Sequence, residues 1–138
     1  MSKKSVMILI ERYLEAVATL SKRLAKELGV EDLFLARQRN EVPRSGALGD
    51  GGEFQFHGIG CTIDDGSTCV NFDFYADGRT DGFDAWRLHT FAEDNTVFDD
   101  ASIDTSRDGL ERELRLLVAS GDVRPVEGSR LFVLVPRD

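Results

Sequence analysis

Cysteine, histidine and tryptophan are scarce in this 138-residue chain, which has two Cys, two His and one Trp. Two cysteines cannot build a disulfide framework, and together with two histidines they are the whole stock for thiolate or imidazole metal ligation. Long apolar runs are missing too. No stretch approaches the roughly 20 apolar residues that span a bilayer. Val6 to Ile10 is too short for a secretory signal, is followed at once by Glu11 and Arg12, and has no small-residue cleavage site. Positive charge is in deficit: 17 Lys and Arg against 25 Asp and Glu leave a net charge of −8 and a pI near 4.8. Nucleic acid and anionic membranes would be repelled, so both are set aside as partners. The expectation is a cytoplasmic protein whose partner is a protein with a basic surface.

What is present is ordinary for a globular protein, 41% hydrophobic and 30% charged residues, enough for a single α+β domain over 1–138 with a real core. Ser2 to Leu28 reads as a long amphipathic helix: Val6, Ile10, Tyr13, Val17, Leu20 and Leu24 recur at steps of four and three, and Gly29 stands where a helix-ending glycine belongs. At about 39 Å it exceeds what one sheet needs. Core packing is the favoured account of its stripe, with a homodimer through this helix as the alternative. Glu31 to Arg39 adds a short helix. Glu41 to Gly52, with Pro43 and a cluster of glycines, reads as a loop and not as a phosphate cradle, because no Gly-Lys-Ser/Thr opens a helix there.

Asp65-Gly66 between two β-rich runs has the form of a tight primed turn. A two-residue loop there pairs Ile63 with Thr68, Cys61 with Val70, Ile59 with Phe72 and His57 with Phe74. Alternation then places Ile59, Cys61, Ile63, Val70, Phe72 and Phe74 on one apolar face, with His57 at its end as a core histidine. The other face carries Phe56 opposite Tyr75, Gly58 opposite Asp73, and Gly60 opposite Asn71. The glycines leave space beside Asn71 and Asp73. A packed helix or a bulge fills it on the structural account, and a ligand or substrate pocket on the functional one. Cys61 and Cys69 fall on opposite faces, which excludes a disulfide between them.

The strings HGIGC, FDF and DGRTDGFDAWRL, preceded by Pro43-x-x-Gly46, resemble a family of small uncharacterised bacterial domains known only as a domain of unknown function. The likeness covers roughly Arg39 to Ala92. It implies no activity, cofactor or catalytic residue.

Further along, Asp84 caps a helix running to about Asp94, with Phe83 and Leu88 placed as a hydrophobic staple. Ala85, Leu88, Phe91 and Ala92 share a face of that helix, while Trp86 and Arg87 project away from it. Asn95 to Thr105 is an acidic loop. Thr105 and Asp108 have capping-box spacing before a helix with Leu110, Leu114, Leu117 and Val118 inward and Gly121 after its end. Val123 to Val126 and Arg130 to Val135 make a closing hairpin, with Pro125 consigning the first of these strands to an edge.

No catalytic set emerges. His57, Cys61, Cys69 and His89 lack zinc-site spacing. Cys61 and His57, four residues apart on one strand, would sit some 13 Å apart at about 3.3 Å per residue, and Asp73 faces away from them. Asp77-Gly78-Arg79-Thr80-Asp81-Gly82 lacks the ligand alternation and closing Glu of a calcium loop. No metal or cofactor is expected. The favoured function is a non-enzymatic binding protein of the immunity or antitoxin type, with Trp86, Arg87, Asp73, Tyr75, Asp77 and Asp81 as the partner-binding surface. The alternative is a small enzyme or ligand-binding module using the space beside Gly58, Gly60 and Asp73.

Overall fold

The computed structural model describes residues 3–58, 60–67, 69–74, 82–94 and 104–136. Its architecture is α+β and divides into two compact units, one of residues 1–14 and 81–138 and one of residues 15–80. The N-terminal helix α1 (Lys3–Leu28) contributes to both.

In the unit of residues 15–80, α1 ends as its sequence dictates. Gly29 takes φ +70°, and the amides of Gly29 and Val30 donate to the carbonyls of Lys26 and Ala25, the paired bonds of a Schellman stop. The short helix α2 (Leu33–Gln38) starts on Asp32, whose carboxylate accepts the Leu35 amide at 2.9 Å. It closes in the same way on Asn40 at φ +57°, where the Asn40 and Glu41 amides reach Arg37 and Ala36.

An antiparallel sheet follows in the order β1 (Ser45–Ala47), β2 (Glu53–His57), β3 (Gly60–Asp64), β4 (Cys69–Asp73). Three features differ from the sequence expectation. The glycine-rich loop contains β1, because Gly46 and Gly52 permit close approach: a Cβ would lie 2.9 Å from the Phe54 ring at Gly46 and 2.5 Å from the Asp64 carbonyl at Gly52. The anticipated long strand is cut at Gly58, which at φ +61° turns the chain so that β2 and β3 pair with each other, His57 opposite Gly60 and Phe56 opposite Cys61. And the next hairpin is wider than a two-residue loop, with Asp64 opposite Cys69 and Cys61 opposite Phe72 in place of Val70.

The consequences follow from parity. A two-residue shift leaves each side chain on its face, so Cys61, Ile63 and Phe72 are buried as expected. The extra turn instead moves Phe54 and Phe56 onto that same face, where both are buried. Phe56, Phe72, Phe74 and Phe34 form a chain of ring contacts 5.5 to 6.1 Å apart, and the Arg37 guanidinium stands 5.5 Å over the Phe56 ring.

The other unit holds a three-stranded sheet in the order β5 (Gly82–Asp84), β7 (Leu131–Leu134), β6 (Val123–Pro125), so Pro125 does lie on an edge strand. The central antiparallel sheet and the closing hairpin expected from the sequence are both present, and β5 joins the hairpin to make it a second sheet. Helix α3 (Ala85–Asp94) runs on directly from β5, and helix α4 (Arg107–Ser120) precedes β6. The N-cap of α4 is Ser106, one residue beyond the anticipated Thr105, and its hydroxyl accepts the Gly109 amide at 3.1 Å. Its end is as expected, with Gly121 at φ +82°. Leu88, Phe91, Leu110, Leu114, Leu117, Val123 and Val133 are buried here, and Tyr13 of α1 meets Phe91 edge-on at 4.7 Å. The expected acidic loop lies mostly outside the described residues.

Candidate functional site

Of the six residues expected to form the binding surface, Asp73, Trp86 and Arg87 are among the described residues. Tyr75, Asp77 and Asp81 lie outside the described residues. Asp73 is half-buried on the polar side of β4, in the unit of residues 15–80, whereas Trp86 and Arg87 belong to the other unit. Arg87 is half-buried.

The space expected beside Gly58 and Gly60 is filled at Gly60, whereas nothing lies within 4 Å of a Cβ built on Gly58. Gly58 is a turn residue, and a Cβ on Gly60 would stand 2.6 Å from Asp73 Oδ1 and 3.2 Å from the Phe72 carbonyl. Asp73 itself occupies the gap. His57 is likewise not a core histidine. It is exposed on the polar face, and its Nε2 lies 2.6 Å from Thr62 Oγ1.

Cys61 is the residue that packs inward. It is fully buried, and burial pushes its thiol up to about 12. That keeps it protonated and unreactive as a nucleophile. Cys69 is exposed, and both cysteines are free. Among the described residues no group of three or more His, Cys, Asp or Glu side chains is placed to hold a metal ion, and no helix is long and apolar enough to cross a membrane.

The site that does form surrounds Trp86. Its ring is 44% exposed because the capping geometry of Asp84, which accepts the Trp86 amide at 2.8 Å, starts α3 with this residue turned off the buried stripe of Leu88, Phe91 and Ala92. The ring is nonetheless held. The Arg107 guanidinium lies 4.9 Å from its centroid on one side and His89 at 5.8 Å on another. Arg107 is itself fixed on α4 by Glu111 at 3.4 Å, and Arg130 reaches Asp84 at 3.9 Å. His89 Nε2 pairs with Glu93 at 3.2 Å.

Between these groups is a cavity of about 280 Å³ whose floor is Leu88, Leu110, Leu114 and Phe132. A second hollow of about 530 Å³ shares Ala85, Glu111, Leu114 and Phe132 with it and continues past Arg115 and Val118 to Pro125. The two hollows adjoin along α4 and together form a groove, with Trp86 at the head of the first. The sequence signalled Trp86 by its phase on α3. It gave no sign of Arg107, Arg130 or Phe132, which reach the cavity from far along the chain.

The match to known proteins can be placed against this geometry. A family model described as "Domain of unknown function (DUF6896)" matches residues 6–134, across both units. The chain belongs to this family. No curated protein and no solved structure matches it.

Proposed function

We propose that this member of the family is a binding protein for another protein, of the immunity or antitoxin type, and that Trp86 is its anchor. The observation that carries the reading is the exposed Trp86 ring, contacted by Arg107 at the mouth of an apolar cavity. An exposed aromatic beside an Arg and an apolar floor is the composition of an interface hot spot. The cavity of about 280 Å³ has room for an inserted side chain. The polar groups at its rim are engaged with one another, Arg107 with Glu111 and Asp84 with Arg130, as orienting charges would be.

The net charge of −8 favours a partner that is basic overall, and a reducing cytosol suits two free thiols. Titration calorimetry against the product of the adjoining gene tests the reading. Trp86→Ala should weaken binding roughly 30-fold, and unchanged affinity in a folded variant would overturn it.

A further inference from the structure

The groove along α4 also defines what enters it, and this deepening rests on the protein-binding reading above. From Arg107 to Ala119 the α4 wall runs about 18 Å, the length of some 12 helical residues, so the groove accommodates about three turns of helix. Strand addition is blocked at β7, the strand that supplies Phe132 to the floor of the groove. β7 is paired on both sides, by β5 and β6, and Pro125 has no amide hydrogen to give. Recognition on that floor passes through side chains. The floor supplies an apolar track from Leu110 through Leu114 and Phe132 to Val118.

The flank of that track carries a charge pattern. Arg107, Glu111 and Arg115 follow one another at four-residue steps on the wall of the groove, giving the order plus, minus, plus. Arg107 and Glu111 are half to two-thirds exposed, and Arg115 is exposed as well, so all three can meet charges from outside. The geometry points to an amphipathic helix of the partner as the occupant, its apolar ridge on Leu114 and Phe132 and its own flank reading minus, plus, minus at four-residue steps. Trp86 closes the head of the groove over the end of that ridge.

Stapled helical peptides of roughly three turns test this without the natural partner. Both carry a leucine ridge at steps of four and three. One has Glu, Lys, Glu on its flank and the other Lys, Glu, Lys. With Trp86 fluorescence as the readout, the Glu-Lys-Glu peptide should bind about tenfold tighter at low salt, the sum of several weak exposed pairs turned from attraction to repulsion.

The triple variant R107E/E111R/R115E keeps the spacing along α4 and should invert the preference. Arg115→Glu alone should reduce it and serves if the triple variant does not fold. Equal binding of the two peptides, an unchanged preference in the folded variant, or no binding at millimolar peptide would each overturn the inference. So would a concentration-dependent dimer, seen by sedimentation and abolished by Arg115→Glu, since a second copy would then be the occupant. Loss of partner binding in Trp86→Ala, combined with no peptide preference, would leave the protein-binding reading intact and remove only the helix.

Discussion

The guanidinium of Arg107, at the first turn of α4, stands 4.9 Å over the indole of Trp86, at the first turn of α3. Two residues 21 positions apart in the chain, each in the first turn of its helix, thereby meet at the mouth of one cavity. The pair gives a tryptophan that is 44% exposed a contact that favours this orientation. A cation over an indole at an exposed site is worth about 0.5–1 kcal/mol, enough to bias a rotamer though not to hold a fold.

Arg107→Ala should therefore loosen Trp86 without unfolding the protein. Emission should shift to longer wavelength and acrylamide quenching should rise, while the melting temperature stays within a degree or two, as befits an exposed substitution. Glu111→Gln should do the same more weakly, because it removes only the group that steadies Arg107 at 3.4 Å. An unchanged quenching constant in Arg107→Ala would show that Trp86 is held by something else.

The two thiols should behave as opposites. Cys69 should react with maleimide in the native protein, whereas Cys61, fully buried, should react only on unfolding. The pH dependence has a definite sign. Because the folded thiol of Cys61 is raised from 9.0 to about 12, the unfolded chain gives up its proton first as pH rises. Stability from this group is complete below pH 9.0 and is lost progressively from there towards about 12. Cys61→Ala should flatten that alkaline loss. It should also cost about 1–2 kcal/mol at neutral pH through lost packing. A denaturant series at pH 7 and above 9 separates the two effects.

How much of this was legible beforehand depended on how local the signal was. The α1 periodicity, the Gly29 and Gly121 stops, the Asp84 cap and the edge position of Pro125 each depend on neighbours within a few residues, and all appear in the structure. The hairpin was misjudged at Gly58. A glycine inside an alternating run is compatible with strand, bulge or turn, and only pairing with a distant strand decides among them. The alternation of Phe54 with Phe56 was the overlooked clue, since it gives β2 its own buried face. The groove was not legible at all, because its walls are assembled from α3, α4, β6 and β7.

Gly60 supplies a test of the corrected sheet. Gly60→Ala puts a methyl group 2.6 Å from Asp73 Oδ1 and 3.2 Å from the Phe72 carbonyl. The carboxylate can swing away but the backbone carbonyl cannot. A loss of about 1–3 kcal/mol is expected, as for overpacking elsewhere. Adding Asp73→Ala should recover only part of it. Had the space beside Gly60 been an open pocket, the alanine would be tolerated, and urea unfolding distinguishes the two cases.

The start of α4 separates two neighbouring hydroxyls that the sequence alone could not rank. Ser106 is the N-cap: its hydroxyl accepts the Gly109 amide at 3.1 Å, and its own amide donates to Asp104 Oδ1 at 3.0 Å. Ser106→Ala leaves an amide of the first turn without its acceptor and should cost about 1 kcal/mol, whereas Ser106→Asp should retain most of the stability. Thr105→Ala should change little, since Thr105 is not the cap. The Ser106 hydroxyl and amide together hold the Asp104 carboxyl below its ordinary value, with the Arg112 guanidinium as a smaller influence. A depressed carboxyl stabilises the fold above the unfolded value of 3.8 and ceases to do so as pH falls through its lower folded value. Asp104→Asn should therefore narrow the gap in stability between neutral and acidic solution. Thermal unfolding of the three single variants at pH 7, and of Asp104→Asn across the acid range, decides the assignment: a Thr105→Ala loss equal to that of Ser106→Ala would move the cap back by one residue and α4 with it.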